Sequence, residues 1–160
     1  MKTAFPPIVN EHSKILILGT MPGEKSIALQ EYYAHAGNQF WKIIFAIYNQ
    51  PFTKDYIKKK QILLDNQIAL WDVIQYCERE GSADSNIIEE KPNDFAGFFL
   101  NYPNIKTIYF ASKAAKTYYL KHVRREFDLM IYGVLPSPSS ANTWKTFHEK
   151  VKEWKIIRTD

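Results

Sequence analysis

The 160-residue sequence predicts an α/β fold, a three-layer α/β/α sandwich around a mostly parallel four-stranded sheet, in a single domain spanning residues 1–160. Two observations carry this expectation. Short, continuously apolar runs ending in turn signals read as strands buried on both faces. Segments of helical periodicity lie between them, and strands alternating with helices build a parallel sheet covered on both sides. No repeat, low-complexity tract or linker divides the chain. A domain of this length buries roughly two-thirds of its unfolded surface.

Strands are expected at Lys14–Gly19, Ile68–Val73, Thr107–Ala111 and Leu129–Leu135. A helix over Asn38–Tyr48 sets Trp41, Ile44, Phe45 and Tyr48 on one face. Thr53 is the expected N-cap of the next, Lys54–Asp65, whose apolar stripe is Tyr56, Ile57, Ile62 and Leu63 or Leu64. Asp94 is placed to cap a short helix through Leu100, and Ser112 to cap a longer one with Ala115, Tyr118, Tyr119 and His122 near one face. Asn142 or Thr143 opens the last, where Phe147, Val151 and Trp154 are spaced for burial. His122, Arg124 and Arg125 fall at a helix end, where positive charge suits the macrodipole. Lys58–Lys60 reads as a solvated helix face.

Composition narrows the function classes. Hydrophobic content of 46% with 24% charged residues excludes a disordered chain. No apolar run approaches the roughly 18 residues of a membrane span, and Met1–Asn10 lacks the apolar core of a signal peptide. Cys77, the single cysteine, excludes an internal disulfide, a cysteine-based zinc site and a cysteine-ligated iron–sulfur cluster. No metal and no cofactor is expected, and the expected compartment is the reducing cytoplasm. The net charge of +4 suits phosphate binding without requiring it. Aromatic residues make up 15% of the chain, enough to fill a core and still supply a surface on which bases stack.

Right-handed crossovers gather all strand C-terminal ends at one edge, where ligands of such sheets bind. Three segments after strands carry unusual chemistry. Gly19-Thr20-Met21-Pro22-Gly23-Glu-Lys-Ser26 pairs two glycines, expected to allow positive φ and close ligand approach, with a stiffening proline. It lacks the Gly-Lys-Ser/Thr ending of a P-loop and is no G-x-G-x-x-G turn. Tyr32-Tyr33-Ala-His35-Ala36-Gly37-Asn38-Gln-Phe40-Trp41 gathers rings, an imidazole and a carboxamide. An amide offers one acceptor and two donors, enough to read a base edge or orient a water. Packing accounts for Phe40 and Trp41, and Asn38 is also placed to cap the helix. Leu135-Pro136-Ser137-Pro138-Ser139-Ser140-Ala-Asn142 is a stiff loop rich in hydroxyls, suited to phosphates or to an ordinary surface turn.

Taken together, these segments resemble the uracil-DNA glycosylase superfamily, in which a Gly-x-x-Pro-Gly loop follows the first strand and a Pro-Ser-rich loop follows the last. Tyr-Tyr-Ala-His-x-x-Asn-x-Phe-Trp, Ala69-Leu-Trp-Asp72-Val73, Cys77-x-Arg-x-Gly-Ser82 and Leu-Pro-Ser-x-Ser-x-Ala-Asn142 are similar to its hypoxanthine-DNA glycosylase branch. The resemblance covers Lys14–Trp154. It implies a monomeric, monofunctional enzyme that flips a deaminated base out of DNA and hydrolyses its glycosidic bond. Asn38 is then the catalytic carboxamide. Gly19, Thr20, Met21, Pro22, Gly23, Tyr33, His35, Phe40, Asp72 and Ser112 would surround the base. Ser26, Pro136, Ser137, Pro138, Ser139, Ser140 and Asn142 would hold the DNA.

Departures shape the expected substrate. Met21 stands where uracil-excising relatives carry a water-orienting Asn or Asp, and Leu135 where they carry a His or Asn beside the base carbonyl. Neither side chain positions water or stabilises negative charge, so strong uracil excision is not expected. Phe110-Ala-Ser112 replaces the branch's usual Phe-Asn-Gly, and Ala36-Gly37 its usual Pro-Arg. Three other readings stay open at this stage. One is broad, weak excision of uracil or xanthine; another is a silent nucleic-acid-binding module of the same fold; the third is a small-molecule nucleotide-binding α/β protein, against which the missing phosphate loop argues.

Overall fold

The computed structural model describes residues 1–123 and 127–159; Arg124 and Arg125, expected at a helix end, lie outside them. Four parallel strands form the central sheet: β2 (Ile15–Gly19), β3 (Ile68–Asp72), β6 (Thr107–Phe110) and β7 (Met130–Val134). Their order across the sheet is β3-β2-β6-β7. Ile15 stands opposite Ile68 on one side and Thr107 on the other. The apolar runs named the four strands because β2 and β3 are buried at every position, as parallel strands under two helical layers must be.

Alternation along β2 sorts the two layers. Ile15 and Ile17 face one core, packed with Phe40, Trp41, Ile43, Ile44 and Ile47 of α2 (Phe40–Ile47), Ile62 and Leu63 of α3 (Tyr56–Asp65), and Trp154 of α6 (Phe147–Trp154). Leu16 and Leu18 face the other, against Phe95 and Phe98 of α4 (Phe95–Asn101) and Ala115 and Tyr119 of α5 (Lys113–His122). Three layers result. Among the described residues no helix is long and apolar enough to cross a membrane.

A second sheet was not foreseen. It pairs β1 (Lys2–Thr3), β4 (Ile74–Glu78) and β5 (Ile88–Pro92), antiparallel, in the order β1-β4-β5. Its strands are short, half-solvated and rich in charge, so they lack the apolar runs that betray the central sheet. A six-residue helix, α1 (Glu24–Leu29), also follows the first loop.

Caps expected at Asp94 and Ser112 accept from Gly97 N and Ala115 N. Two others move. The cap of α3 is Asp55, whose carboxylate reaches Ile57 N and Lys58 N, while Thr53 accepts from Asp55 N. An ionised carboxylate beside the first free N–H groups outcompetes a hydroxyl. The cap of α6 is Thr146, closing a capping box with Glu149, rather than Asn142 or Thr143. Ile57, expected in the α3 stripe, is exposed, and the buried face of the helix is carried by Ile62 and Leu63.

The order β3-β2-β6 fixes where a ligand can go. From β2 the chain crosses to β3 on one side, then returns past β2 to β6 on the other. The C-terminal ends of β2 and β6 therefore bound the crevice where open α/β sheets bind ligands.

Candidate active site

That crevice holds a cavity of about 680 Å³, within the usual range for small-ligand sites. Its floor is built from strand ends. Gly19 and Thr20 leave β2, Asp72 ends β3, and Ala111 and Ser112 follow β6. Tyr33, His35 and Asn38 line one part of the wall, and Ser137–Asn142 the part next to it.

Gly19 and Gly23 serve differently from expectation. Neither has positive φ, which among the glycines belongs to Gly81 and Gly133. Gly19 supplies room instead: a Cβ there would stand 2.5 Å from Asp72 Oδ1 and 3.0 Å from Tyr33 Oη. Gly37 works likewise at the rim, where a Cβ would lie 3.0 Å from Ser140. The missing side chains let the carboxyl, the phenol and the serine loop close on the backbone.

Tyr33 adopts a left-handed φ of 54°, a conformation that costs a non-glycine residue free energy and is held only by its surroundings. Phe40 stacks on it, centroids 4.2 Å apart and rings inclined by 20°. Phe40 itself is fully buried, so its expected place against a ligand is corrected: it backs Tyr33 from the core side. Ser26, expected on DNA, is also buried, and its Oγ accepts from Ala34 N at 3.0 Å, bracing the Tyr33 turn.

Asn38 is half-buried. Its Oδ1 accepts from Phe40 N at 2.9 Å, and among the described residues no hydrogen bond engages its Nδ2. The cap reading of Asn38 is corrected: the N-cap of α2 is Gln39, with no side-chain cap bond, and Asn38 lies one residue before it, where its oxygen closes an Asx turn that orients the amide. His35 is exposed at the rim and its Nδ1 accepts from Gly37 N at 3.0 Å. In the neutral ring the proton then sits on Nε2.

Asp72 is buried, and its Oδ2 has no hydrogen-bond partner. Burial pushes its carboxyl up to about 7; the Asp84 carboxylate adds to the shift and the Arg79 guanidinium opposes it. Asp84 titrates higher than usual for the same first reason, burial, against a hydrogen bond from Thr20. Thr20 Oγ1 lies 3.2 Å from Ser112 Oγ. With the Thr20 proton directed to Asp84, Ser112 is the donor of that contact. The Phe110-Ala-Ser112 departure thus carries a hydroxyl into a polar chain beneath the cavity. Arg79, wholly buried, donates to the Pro22 carbonyl and pairs with Asp84 at 3.7 Å, tying the first loop to the turn after β4.

The sign of the Asp72 effect follows from linkage. The unfolded chain loses this proton near 3.8 and the folded chain near 7, so the folded state binds more protons between those values. Its stability contribution therefore falls as pH rises through that window. Asp72→Asn is expected to melt above the parent protein at pH 8, with the gap shrinking toward pH 5. Parallel melting curves across that range would contradict this.

The Pro-Ser loop is stiffened from behind. The Pro136 carbonyl accepts from Trp154 Nε1 at 2.7 Å, which sets Pro136 outside the cavity. Pro138 O accepts from Gln39 N at 2.8 Å. Asn142 spends its amide closing the loop, Nδ2 to Ser137 O and Oδ1 from Trp144 N. Beneath runs Lys150, 2% exposed, its Nζ donating to Gln39 Oε1 at 2.8 Å and Asn142 O at 3.1 Å. One buried ammonium joins the segment that carries Asn38 to the Pro-Ser loop beside it. Ser140 is exposed at the rim.

Met21 and Leu135 are both buried, Met21 beside Ile74, Cys77 and Ile87 and Leu135 in the α2 core. Met21 touches the cavity and Leu135 does not. Lining residues not foreseen include Lys25, Asp84 and Trp144. Trp144 is 93% exposed.

Fold and cavity define an α/β protein with an open cavity at the switch point of a parallel sheet. The model of the uracil DNA glycosylase superfamily matches residues 6–158, and the chain belongs to that family. It is 37% identical over 98% of its length to the hypoxanthine DNA glycosylase of Methanosarcina acetivorans, covering 98% of that protein. A hypoxanthine DNA glycosylase of Methanosarcina barkeri is 37% identical over 73% of this chain and 75% of its own. A solution NMR structure from Methanosarcina acetivorans, described provisionally as a uracil DNA glycosylase, aligns over 98% of both chains with a TM-score of 0.79 and 34% identity.

Proposed function

We propose that this chain is a monofunctional DNA glycosylase that hydrolyses the N-glycosidic bond of deaminated bases, hypoxanthine first, acting as a cytoplasmic monomer. The observation that carries the reading is Asn38: an amide whose oxygen is fixed by Phe40 N and whose N–H groups face a base-sized cavity beside Tyr33. The relatives named as hypoxanthine DNA glycosylases support the choice of base.

Extrusion of the nucleotide costs a few kcal/mol, least for a mispaired base such as hypoxanthine opposite thymine. The base then stacks on Tyr33, held rigid by Phe40. As the C1′–N bond breaks, its electron pair leaves with the base and positive charge grows on the sugar. Asn38 Nδ2 donates to the departing base, where the developing charge makes the bond strongest. Water adds to C1′, and its proton ends on the released base. His35 Nε2–H, Ser137, Ser139, Ser140 and Lys25 surround the mouth and meet phosphates. No lysine is placed by motif as a Schiff-base nucleophile, so the expected product is an intact abasic strand.

End-labelled duplexes carrying one hypoxanthine or one uracil test this. Hypoxanthine strands should break only after alkali, and faster than uracil strands. No abasic product from any deaminated base, with DNA still bound, would return the chain to a silent binding module.

Trp144 stands clear of the protein at the cavity mouth and stacks on DNA. Replacement of a stacking aromatic costs roughly 1–3 kcal/mol per base. Trp144→Ala is therefore expected to weaken duplex binding roughly 5- to 100-fold in a fluorescence titration, with the melting temperature unchanged. Unaltered affinity would remove Trp144 from the interface.

A further inference from the structure

We propose that Asp72 determines base specificity: its ionised carboxylate accepts a hydrogen bond from the ring N–H that deamination creates and rejects the lone pair of an amino-bearing ring. The proposal rests on the glycosylase reading and names what its cavity selects.

Deamination changes a base edge at two neighbouring atoms. The amidine edge of adenine or cytosine presents a bare ring nitrogen, an acceptor, beside an amino donor. The lactam edge of hypoxanthine, xanthine or uracil presents a ring N–H donor beside a carbonyl acceptor. An ionised carboxylate only accepts. It bonds the lactam N–H, whereas against the amidine nitrogen two lone pairs meet.

Asp72 is built for that task. It ends β3 at the cavity floor, is 5% exposed, and its Oδ2 has no partner. Buried polar atoms without partners are rare and destabilising in folded proteins, so a carboxyl that lines the cavity floor with no hydrogen bond from the described residues points to a donor that arrives with the ligand. Oδ2 is enclosed, so the oxygen that meets the ligand is Oδ1, which lies beside the Gly19 main chain, 2.5 Å from where a Cβ would stand. The main-chain carbonyl of Asp72 is held by Asn93 Nδ2 at 2.8 Å. Elsewhere on the wall the free side-chain group is a donor, Asn38 Nδ2, which suits the carbonyl of the same lactam edge.

The surroundings tune the charge. Asp84 from the turn after β4 and the Tyr33 phenol from the wall oppose ionisation or stay neutral beside it. Arg79 at the end of β4 favours ionisation, and Tyr32 and Tyr56 sense the Asp72 charge from the α2 and α3 side. Below about pH 7 Asp72 carries a proton and becomes a donor fit for an amidine nitrogen. Selectivity should therefore fall as pH falls from 8 to 6. Guanine shares the lactam edge, so its exclusion falls to the cost of extruding it from a stable pair.

The test compares hypoxanthine, 1-methylhypoxanthine and adenine, each opposite cytosine in the same duplex, at pH 8 and pH 6. With the parent protein at pH 8, the 1-methyl block is expected to slow excision roughly 10- to 100-fold, the range for one hydrogen bond to a charged group. Asp72→Asn, shown to be folded by its melting curve, is expected to lower the hypoxanthine-to-adenine rate ratio by a similar factor. A brace for the cavity would instead lower both rates together. An Asp72→Asn protein with the parent ratio, or a parent protein indifferent to the 1-methyl group, overturns the assignment of Asp72. A parent protein that releases no hypoxanthine overturns the glycosylase reading itself.

Discussion

Asn38→Ala is expected to lower the single-turnover rate of hypoxanthine release roughly 100- to 1,000-fold, the usual cost of removing one preorganised donor to developing charge. The same change takes from Phe40 N the acceptor of the turn before α2, which costs about 1 kcal/mol, so a loss of activity alone would mix two causes. Asn38→Asp separates them. The carboxylate keeps the acceptor that holds Phe40 N but has no N–H for the base. It should melt near the parent protein and remain as inactive as the alanine variant. Recovery of activity in Asn38→Asp would mean that the oxygen, orienting water, is the working atom.

Gly19→Ala has the next largest expected effect. Its methyl group would fall 2.5 Å from Asp72 Oδ1 and 3.0 Å from Tyr33 Oη. Neither neighbour retreats freely. Asp72 is anchored by β3 pairing and Asn93, and Phe40 stacks on Tyr33. Overpacking of this kind costs about 1–3 kcal/mol, and displacing a reacting group by about 1 Å costs roughly 100-fold in rate. A chemical denaturation midpoint and a single-turnover rate check the two halves. Parent values in both would show that the carboxyl and phenol move aside.

How much of this was written in the sequence differs by element. The central strands were legible because burial on both faces leaves nothing but apolar residues, as in Ile15–Leu18. The outlying sheet was not, because Ile88–Pro92 turns its charged residues to water and borrows its partners from distant β4. Local competition also hid details. Asp55 displaced Thr53 as a cap, a contest that spacing alone does not decide. At the site, segments adjacent to strands could be read as motifs, which brought Gly19–Gly23, Tyr33, Asn38 and Ser137–Ser140 to one cavity. Phe40 was misplaced because its motif drew attention outward while the helical period turned it inward. Asp84 and Trp144 reach the cavity through chain reversals with no sequence signature, and nothing in the sequence sets Lys150 apart from the other lysines of α6. Only tertiary packing put that ammonium beneath both segments.

The most direct test is a structure of the protein with duplex DNA containing 2′-fluoro-2′-deoxyinosine, whose electron-withdrawing fluorine disfavours the cationic sugar and so preserves the bond. The base is expected outside the helix, stacked on Tyr33, with Asn38 Nδ2 within hydrogen-bond distance of its edge and Ser137–Ser140 along the strand. A base still paired in the duplex, or bound away from the Gly19–Asp72 floor, would contradict the assignment of this cavity as the site of excision.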